Sequence, residues 1–490
     1  MDYSSLKLLF KHTNQEALQA VLGKHYLFWM LPLLLIIIGG IIYCCTVTWR
    51  TAGKSSRKLS RRSLIVFSVF LALSIASNIT FYILKKYSPA NFITVRPLPL
   101  LVFNLTHDTI VDVYRRFNHT PIPLPPESRA ELEKMEIIDP LNAPKASGKD
   151  LFDRIIVIAV ESLDYDYLSR NNPAMPAGIT PNLDALSEKY ISMDNYFCAA
   201  QPTSWGLTAM MLSRVDYELD RYITPPSLFT QAKKRGFHTF YFSSAPGYFD
   251  NNSKDYKIMF SPDTQFFREE FFKIYDFGVE NEWGLSDKTL FSGVLQELQK
   301  TPHERFIAFI STIDTHPPYH HSPLKSEEEE RFPTPFLQAL YSTDRELNTF
   351  INAIINDKKL YNDRTLIIVT ADHTATHGEN YTKRSDFSPG RIPLIFITPN
   401  RKIFLAIDTK KYASSIDLPP TLLYLIGGEI PDSFMGRNLF SPKNSAICKL
   451  LNGTLQIHSP HGMHSVNLNE TSTDKTDKVW IDYYRSFYGK

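Results

Sequence analysis

Three apolar, β-branched runs, each ending in a polar motif, constrain this chain most. Arg154-Ile-Ile-Val-Ile-Ala-Val160 runs into Glu161-Ser162, and Thr365-Leu-Ile-Ile-Val-Thr370 runs into Asp372-His373. Phe306-Ile-Ala-Phe-Ile310 leads to Asp314-Thr315-His316-Pro317-Pro318. Runs of this kind read as strands buried on both faces, the condition of a parallel sheet. Further strands are expected at 237–243 and 391–398, and helices at 181–190, 204–213, 286–299, 336–357 and 417–426. That alternation predicts an α/β fold, a mostly parallel sheet sandwiched by helices. Ligands bind such sheets beyond the carboxyl ends of the strands, where these polar motifs stand.

Two other segments lack any charge: about Tyr26 to Val47 and about Leu64 to Leu84. Each is long enough to cross a bilayer core of ~30 Å as a helix. The loop between them carries Arg50, Lys54, Arg57, Lys58, Arg61 and Arg62 and no acid, which places it on the cytoplasmic side. The remainder is then expected to face outward, as a multi-pass protein of the cell (inner) membrane with its catalytic part on the periplasmic or extracellular side. Residues 1–25 read as a juxtamembrane segment and 26–86 as the two-span unit. The proline-punctuated stretch 87–148 reads as a linker, 149–445 as the catalytic domain and 446–490 as a peripheral tail with room for an edge hairpin. An outward N-terminus without a leader suggests that further spans precede Met1. A net charge of +2 gives no reason to expect a nucleic-acid partner, and four cysteines are too few for a disulfide scaffold.

Glu161, Asp372 and His373 are the residue types that hold a hard or borderline divalent cation. Each has an ordinary reading as well: a solvated carboxylate at a strand end, or a turn Asp with a chance His. His316 is held by the two prolines after it and suits phosphate binding or protonation of a leaving group. His377 follows the Asp-His pair in a polar loop. Thr203, in Gln201-Pro-Thr-Ser-Trp-Gly206, opens an expected helix. There it is either a plain cap or a nucleophile favoured by the positive helix end.

The ordered set resembles the alkaline phosphatase/sulfatase superfamily. It comprises Glu161-Ser162, Thr180-Pro-Asn-Leu183, Thr203-Ser204, Thr315-His316-Pro317, Asp372-His373 and Asp417-Leu-Pro-Pro-Thr421. It looks most like the branch of membrane-anchored lipoteichoic acid synthases, phosphoglycerol transferases and phosphoethanolamine transferases. The resemblance implies an alkaline-phosphatase-like fold preceded by two transmembrane helices. It implies Thr203 as nucleophile and one divalent cation (Mn, Zn or Mg) on Glu161, Thr203, Asp372 and His373. It also implies substrate binding by His316, with His377 alongside. The donor is then a phospholipid and the acceptor an envelope glycan or lipid.

Two departures bear on the chemistry. A formylglycine sulfatase needs Cys or Ser followed by x-Pro-x-Arg, whereas Cys198 is followed by Ala-Ala-Gln-Pro. The usual Asp-His-Gly is Asp372-His-Thr374 here. Trp283-Gly-Leu-Ser-Asp287 resembles the phosphoglycerol branch, while Thr13-Asn-Gln-Glu-Ala17 and Gly378-Glu-Asn380 resemble the phosphoethanolamine branch. The alternatives are a hydrolase on the same scaffold, acting on phosphodiesters or sulfuric esters, and a catalytically silent surface protein.

Overall fold

The computed structural model describes residues 123–135, 137–138, 148–216, 225–249, 252–275, 283–375, 390–450, 453–468 and 472–488. Both expected membrane spans, their basic loop and His377 lie outside the described residues. No helix among the described residues is long and apolar enough to cross a membrane.

Strand β1 (Arg154–Val160) runs through the middle of a seven-stranded sheet. It pairs in parallel with β6 (Phe306–Ser311) on one side and β7 (Thr365–Ala371) on the other. Strands β4 (His238–Ser243) and β5 (Thr264–Phe266) extend the sheet in parallel beyond β6. On the other flank β8 (Leu394–Ile397) runs antiparallel to β7, and the short β2 (Ile191–Ser192) pairs antiparallel with β8 and so runs in the common direction again. Every residue of β6, β7 and β8 is buried, as the unbroken apolar runs require of a sheet covered on both faces. One helical group, 181–189, 287–300 and 335–356, packs together; a second contains 203–212, 228–234 and 418–425. The five expected strands and five expected helices therefore exist, with ends moved by at most a few residues.

The antiparallel β8 is the one strand of this set whose direction apolar composition did not reveal. Among the described residues, no helix is assigned between β7 and β8.

The chain after residue 445 is not peripheral. Strands β10 (Ala446–Lys449), β11 (Thr454–Ser459) and β12 (Gly462–Asn467) form an antiparallel sheet. The helix Lys475–Tyr488 then buries Trp480, Tyr483, Tyr484 and Tyr488 in a second core with Leu132 and Ile137. Leu132 belongs to a helix, Pro126–Lys134, inside the expected linker. Four aromatic side chains, each worth roughly 1.5–3 kcal/mol when buried, explain why this polar-looking tail docks. Two of its hydroxyls fasten it to the rest of the domain, one of them just past the end of the helix Thr203–Leu212. Tyr488 accepts from the N–H groups of Val215 and Asp216 at 3.0 and 3.1 Å, and Tyr483 donates to the Met435 carbonyl at 2.9 Å.

Candidate active site

Parallel register builds the site. The β1–β7 ladder pairs Ala159 with Thr370 and Val160 with Ala371, so one further residue sets Glu161 beside Asp372. Both are buried. Ser162 then turns the chain with φ 52°, an uncommon value outside glycine, and uses that turn to serve both carboxylates. Its Oγ donates to Glu161 Oε1 at 2.6 Å and its N–H donates to Asp372 Oδ1 at 2.9 Å. Glu161 is also held through its backbone: its N–H donates to Thr312 Oγ1 at 3.1 Å, and Thr315 Oγ1 donates to its carbonyl.

His373 completes the cluster. Its Nδ1 lies 2.7 Å from the Thr374 carbonyl, which can only accept, so Nδ1 carries the proton and Nε2 presents its lone pair. Nε2 lies 3.5 Å from Glu161 Oε1 and 3.5 Å from Asp372 Oδ2. One donor atom from each of Glu161, Asp372 and His373 lies within 4.8 Å of the others.

Thr203 sits on the first turn of the helix Thr203–Leu212. Its Oγ1 donates to Glu161 Oε2 at 3.2 Å and lies 3.1 Å from His373 Nε2. Gly206 permits this approach: a Cβ there would stand 2.2 Å from the Asp372 carbonyl oxygen. All four expected metal-binding residues are thus gathered at one point.

The residues fit a divalent cation. Asp372 Oδ2 is buried and has no hydrogen-bond partner, an expensive state for a carboxylate oxygen. Burial, followed by the neighbouring Glu161 charge, pushes the Asp372 carboxyl up to about 8. Burial opposes charge on the other two as well. The His373 and His316 imidazoles nonetheless hold Glu161 below its ordinary value, and the Asp372 and Glu161 carboxylates raise His373. Two carboxylates, an imidazole lone pair and a hydroxyl packed this tightly suit Mn, Zn or Mg.

His316 lies across a cavity of about 340 Å³ that Glu161 and Thr203 also line. Its Nδ1 is 2.5 Å from the Pro317 carbonyl and must donate there, leaving Nε2 toward the cavity chemistry. Its ring packs on Trp283, with centroids 5.3 Å apart. The loop that carries His316 is pinned by Asp287, which accepts from the N–H groups of Ile313 and Asp314 at 3.0 and 3.3 Å and from Thr343 Oγ1 at 2.9 Å. Burial raises the Asp287 carboxyl to about 6. Sequence reasoning assigned no site role to Ser162, Gly206, Asp287 or Thr312. Ser162 and Asp287 were visible only as letters within quoted motifs, and Gly206 needed the approach of Asp372 to acquire meaning. Cys198 is fully buried after strand β3 (Asn195–Phe197), with its Sγ 3.7 Å from Thr374 Oγ1, and does not line the cavity. The helix start beside the cluster is Thr203.

The family model for sulfatases matches residues 153–428, more than half of the chain and the whole of the site. The chain belongs to the sulfatase family. Lipoteichoic acid synthase 2 of Bacillus subtilis (strain 168) is 26% identical over 204 residues, which cover 36% of this chain and 30% of that protein. The match therefore spans less than a third of that relative. Among solved structures, a protein of the alkaline phosphatase superfamily from Vibrio parahaemolyticus superposes with a TM-score of 0.56 at 20% identity, covering 74% of this chain and 95% of its own. The lipoteichoic acid synthase LtaP from Listeria monocytogenes gives 0.54 at 17% identity, covering 73% and 95%. These likenesses show an alkaline-phosphatase-like α/β fold for this sulfatase-family chain.

Proposed function

We propose that this chain is a membrane-bound, metal-dependent transferase. It moves phosphoethanolamine or glycerophosphate from a phospholipid, through phospho-Thr203, to an envelope glycan or lipid acceptor. One observation carries the reading: the Thr203 hydroxyl touches two groups of the cation cluster and also opens on the cavity. A silent scaffold needs none of Glu161, Thr203, Asp372 and His373 in contact. The uncharged segments 26–47 and 64–84 with their basic loop support anchorage in the cell membrane, with this domain outside.

A cation bound by Glu161, Asp372, His373 and the Thr203 oxygen supplies charge stabilisation on the phosphoryl oxygens and an acidified threonine hydroxyl. The protein's own groups do the rest. Thr203 O–H already donates to Glu161 Oε2, the acceptor at hand when Oγ attacks phosphorus. The helix amino end faces the attacked group. His316 Nε2, protonated, gives its proton to the departing glyceride oxygen; deprotonated, it accepts one from the incoming hydroxyl in the second displacement. The same atom thus serves both half-reactions, as a double displacement requires.

The test is the fate of the head group. Purified full-length protein with Mn or Zn, given phosphatidylethanolamine or phosphatidylglycerol and an envelope extract, releases diacylglycerol and transfers the labelled head group to the acceptor in equal amounts. Diacylglycerol release with all of the label appearing as free head-group phosphate, acceptor present, identifies a hydrolase and removes the transferase reading.

A further inference from the structure

Thr203 belongs to the first turn of its helix, whose N–H groups have no partner within the helix. Its place therefore depends on what holds the chain to either side of it. One residue from the far end of the sequence does both. Lys449 is the last residue of β10. Its N–H donates to the Ala199 carbonyl at 2.8 Å, just ahead of Thr203. Its Nζ stands over the Trp205 ring, just after Thr203, at 5.7 Å from the ring centre.

The ammonium is itself fixed. Nζ lies 3.3 Å from Asp216 Oδ2 and 3.4 Å from the Tyr484 hydroxyl oxygen. That hydroxyl donates to the same Asp216 oxygen at 2.5 Å, so it accepts from the lysine. The Tyr484 ring centre is 5.5 Å from Nζ. The Lys449 side chain is only 12% exposed and that of Asp216 only 3%. A cation over an indole face is drawn to the ring more strongly where water is excluded. An ion pair at this depth does not part without leaving a buried charge uncompensated. Lys449 is thus anchored, and the start of the helix is anchored to it.

Thr203 Oγ1 has to stay within reach of Glu161 Oε2 and His373 Nε2, at 3.2 and 3.1 Å, and both partners stand at strand ends outside its helix. We propose that Lys449 is a positioning residue for Thr203. It sets the helix start so that the threonine oxygen meets the cation cluster, which makes the chain after residue 445 part of the active-site machinery. Lys449 touches no reacting atom and exchanges no proton in this role. The proposal rests on the cation reading of Glu161, Thr203, Asp372 and His373, and stands whether the phospho-group passes to an acceptor or to water.

Binding of Mn alone to metal-stripped, full-length protein in detergent, by isothermal titration calorimetry, tests this without a substrate. Lys449→Met keeps the aliphatic stem and loses the charge. It weakens Mn binding about tenfold, the scale on which a lost orienting partner acts at a metal site. In a Thr203→Ala background the same change weakens binding by less than about twofold, because the oxygen that Lys449 places is already gone. Lys449→Arg binds Mn as wild type does. Trp205→Leu leaves the Lys449–Asp216 pair in place, so it carries the test if Lys449→Met does not fold; its effect also disappears in the Thr203→Ala background. His464→Ala breaks the 2.9 Å contact with Asp477 within the same tail and leaves Mn affinity at the wild-type value. Equal weakening with and without Thr203 makes Lys449 a scaffold residue and overturns the proposal. Unchanged affinity in folded Lys449→Met or Trp205→Leu overturns it as well. Absence of Mn binding to wild type removes the cation reading and this inference with it.

Discussion

The cation cluster and the aromatic side chains of the neighbouring cavity, here its polar and aromatic ends, are built by different means. The polar end is set by backbone ladders: Glu161 and Asp372 stand together because β1 and β7 are in register, and both lie in the buried core. The aromatic end is set by loops. Tyr248, Phe249 and Trp283 follow strand β4 or precede the helix Asp287–Lys300, and all three are exposed. Metal chemistry needs ligand atoms placed to a few tenths of an ångström, which buried parallel strands supply. Choice of substrate is made at the loops, which change without disturbing the sheet. His316 links the two, since its loop is pinned by buried Asp287 while its ring packs, tilted, against Trp283.

The largest expected effect comes from the polar end. Thr203→Ala removes the attacking oxygen, and turnover measured by diacylglycerol release falls by about 10⁴ or more. Chelation comes next: dialysis against EDTA abolishes turnover, and Mn or Zn restores it. Added metal also raises the melting temperature, because the ion binds only the folded cluster. Asp372→Asn removes that thermal response. Gly206→Ala tests the packing beneath Thr203. Its Cβ would meet the Asp372 carbonyl at 2.2 Å, so the helix start must retreat. A fall of about 100-fold in kcat is expected, together with about 1–3 kcal/mol of lost stability by urea unfolding.

His316→Gln comes lower because the residue joins the two ends without holding the metal. We expect about 10²-fold slower turnover with metal content unchanged by elemental analysis. A loss of metal in this variant would show that the two ends are not separately built. The smallest effect concerns the scaffold. Burial raises the Asp344 carboxyl to about 6, although it accepts from Asn182 N–H, Asn182 Nδ2 and Leu183 N–H. A raised folded pKa means that the protonated form favours folding. That contribution is complete below about pH 4, the ordinary aspartate range, and is lost as pH rises through about 6. Relative to Asp344→Asn, wild type should therefore lose on the order of 2 kcal/mol of stability between pH 4 and 7. A pH-independent difference between the two contradicts this.

The same contrast explains what the sequence made legible. Glu161, Asp372 and His373 were readable because each ends or follows a run whose composition admits only a buried strand. Thr203 was readable from its place at a helix start and from the resemblance. Thr180-Pro-Asn-Leu183 and Asp417-Leu-Pro-Pro-Thr421 belong to the same ordered set yet fasten the scaffold. Asp344 caps the first, and Asp417 accepts from Ser414 N–H, Arg437 N–H and Lys443 Nζ. Order along the chain does not separate a ligand from a clasp; contact does. The tail was misread for a related reason. Asn, Thr and Lys are frequent in its sequence, while Trp480, Tyr483, Tyr484 and Tyr488 recur at helical spacing on the face that docks. Ser162 stayed hidden because its work depends on a left-handed turn that composition does not announce.

The central claim is that Thr203, on the cation cluster, takes up the phospho-group. Peptide mass spectrometry of metal-replete, full-length protein after incubation with phosphatidylethanolamine, and separately with phosphatidylglycerol, tests it most directly. The account predicts a phosphoethanolamine or glycerophosphate adduct on Thr203, with neither adduct in Thr203→Ala. Sustained diacylglycerol release by Thr203→Ala at the wild-type rate, with no adduct on the wild-type threonine, would contradict it.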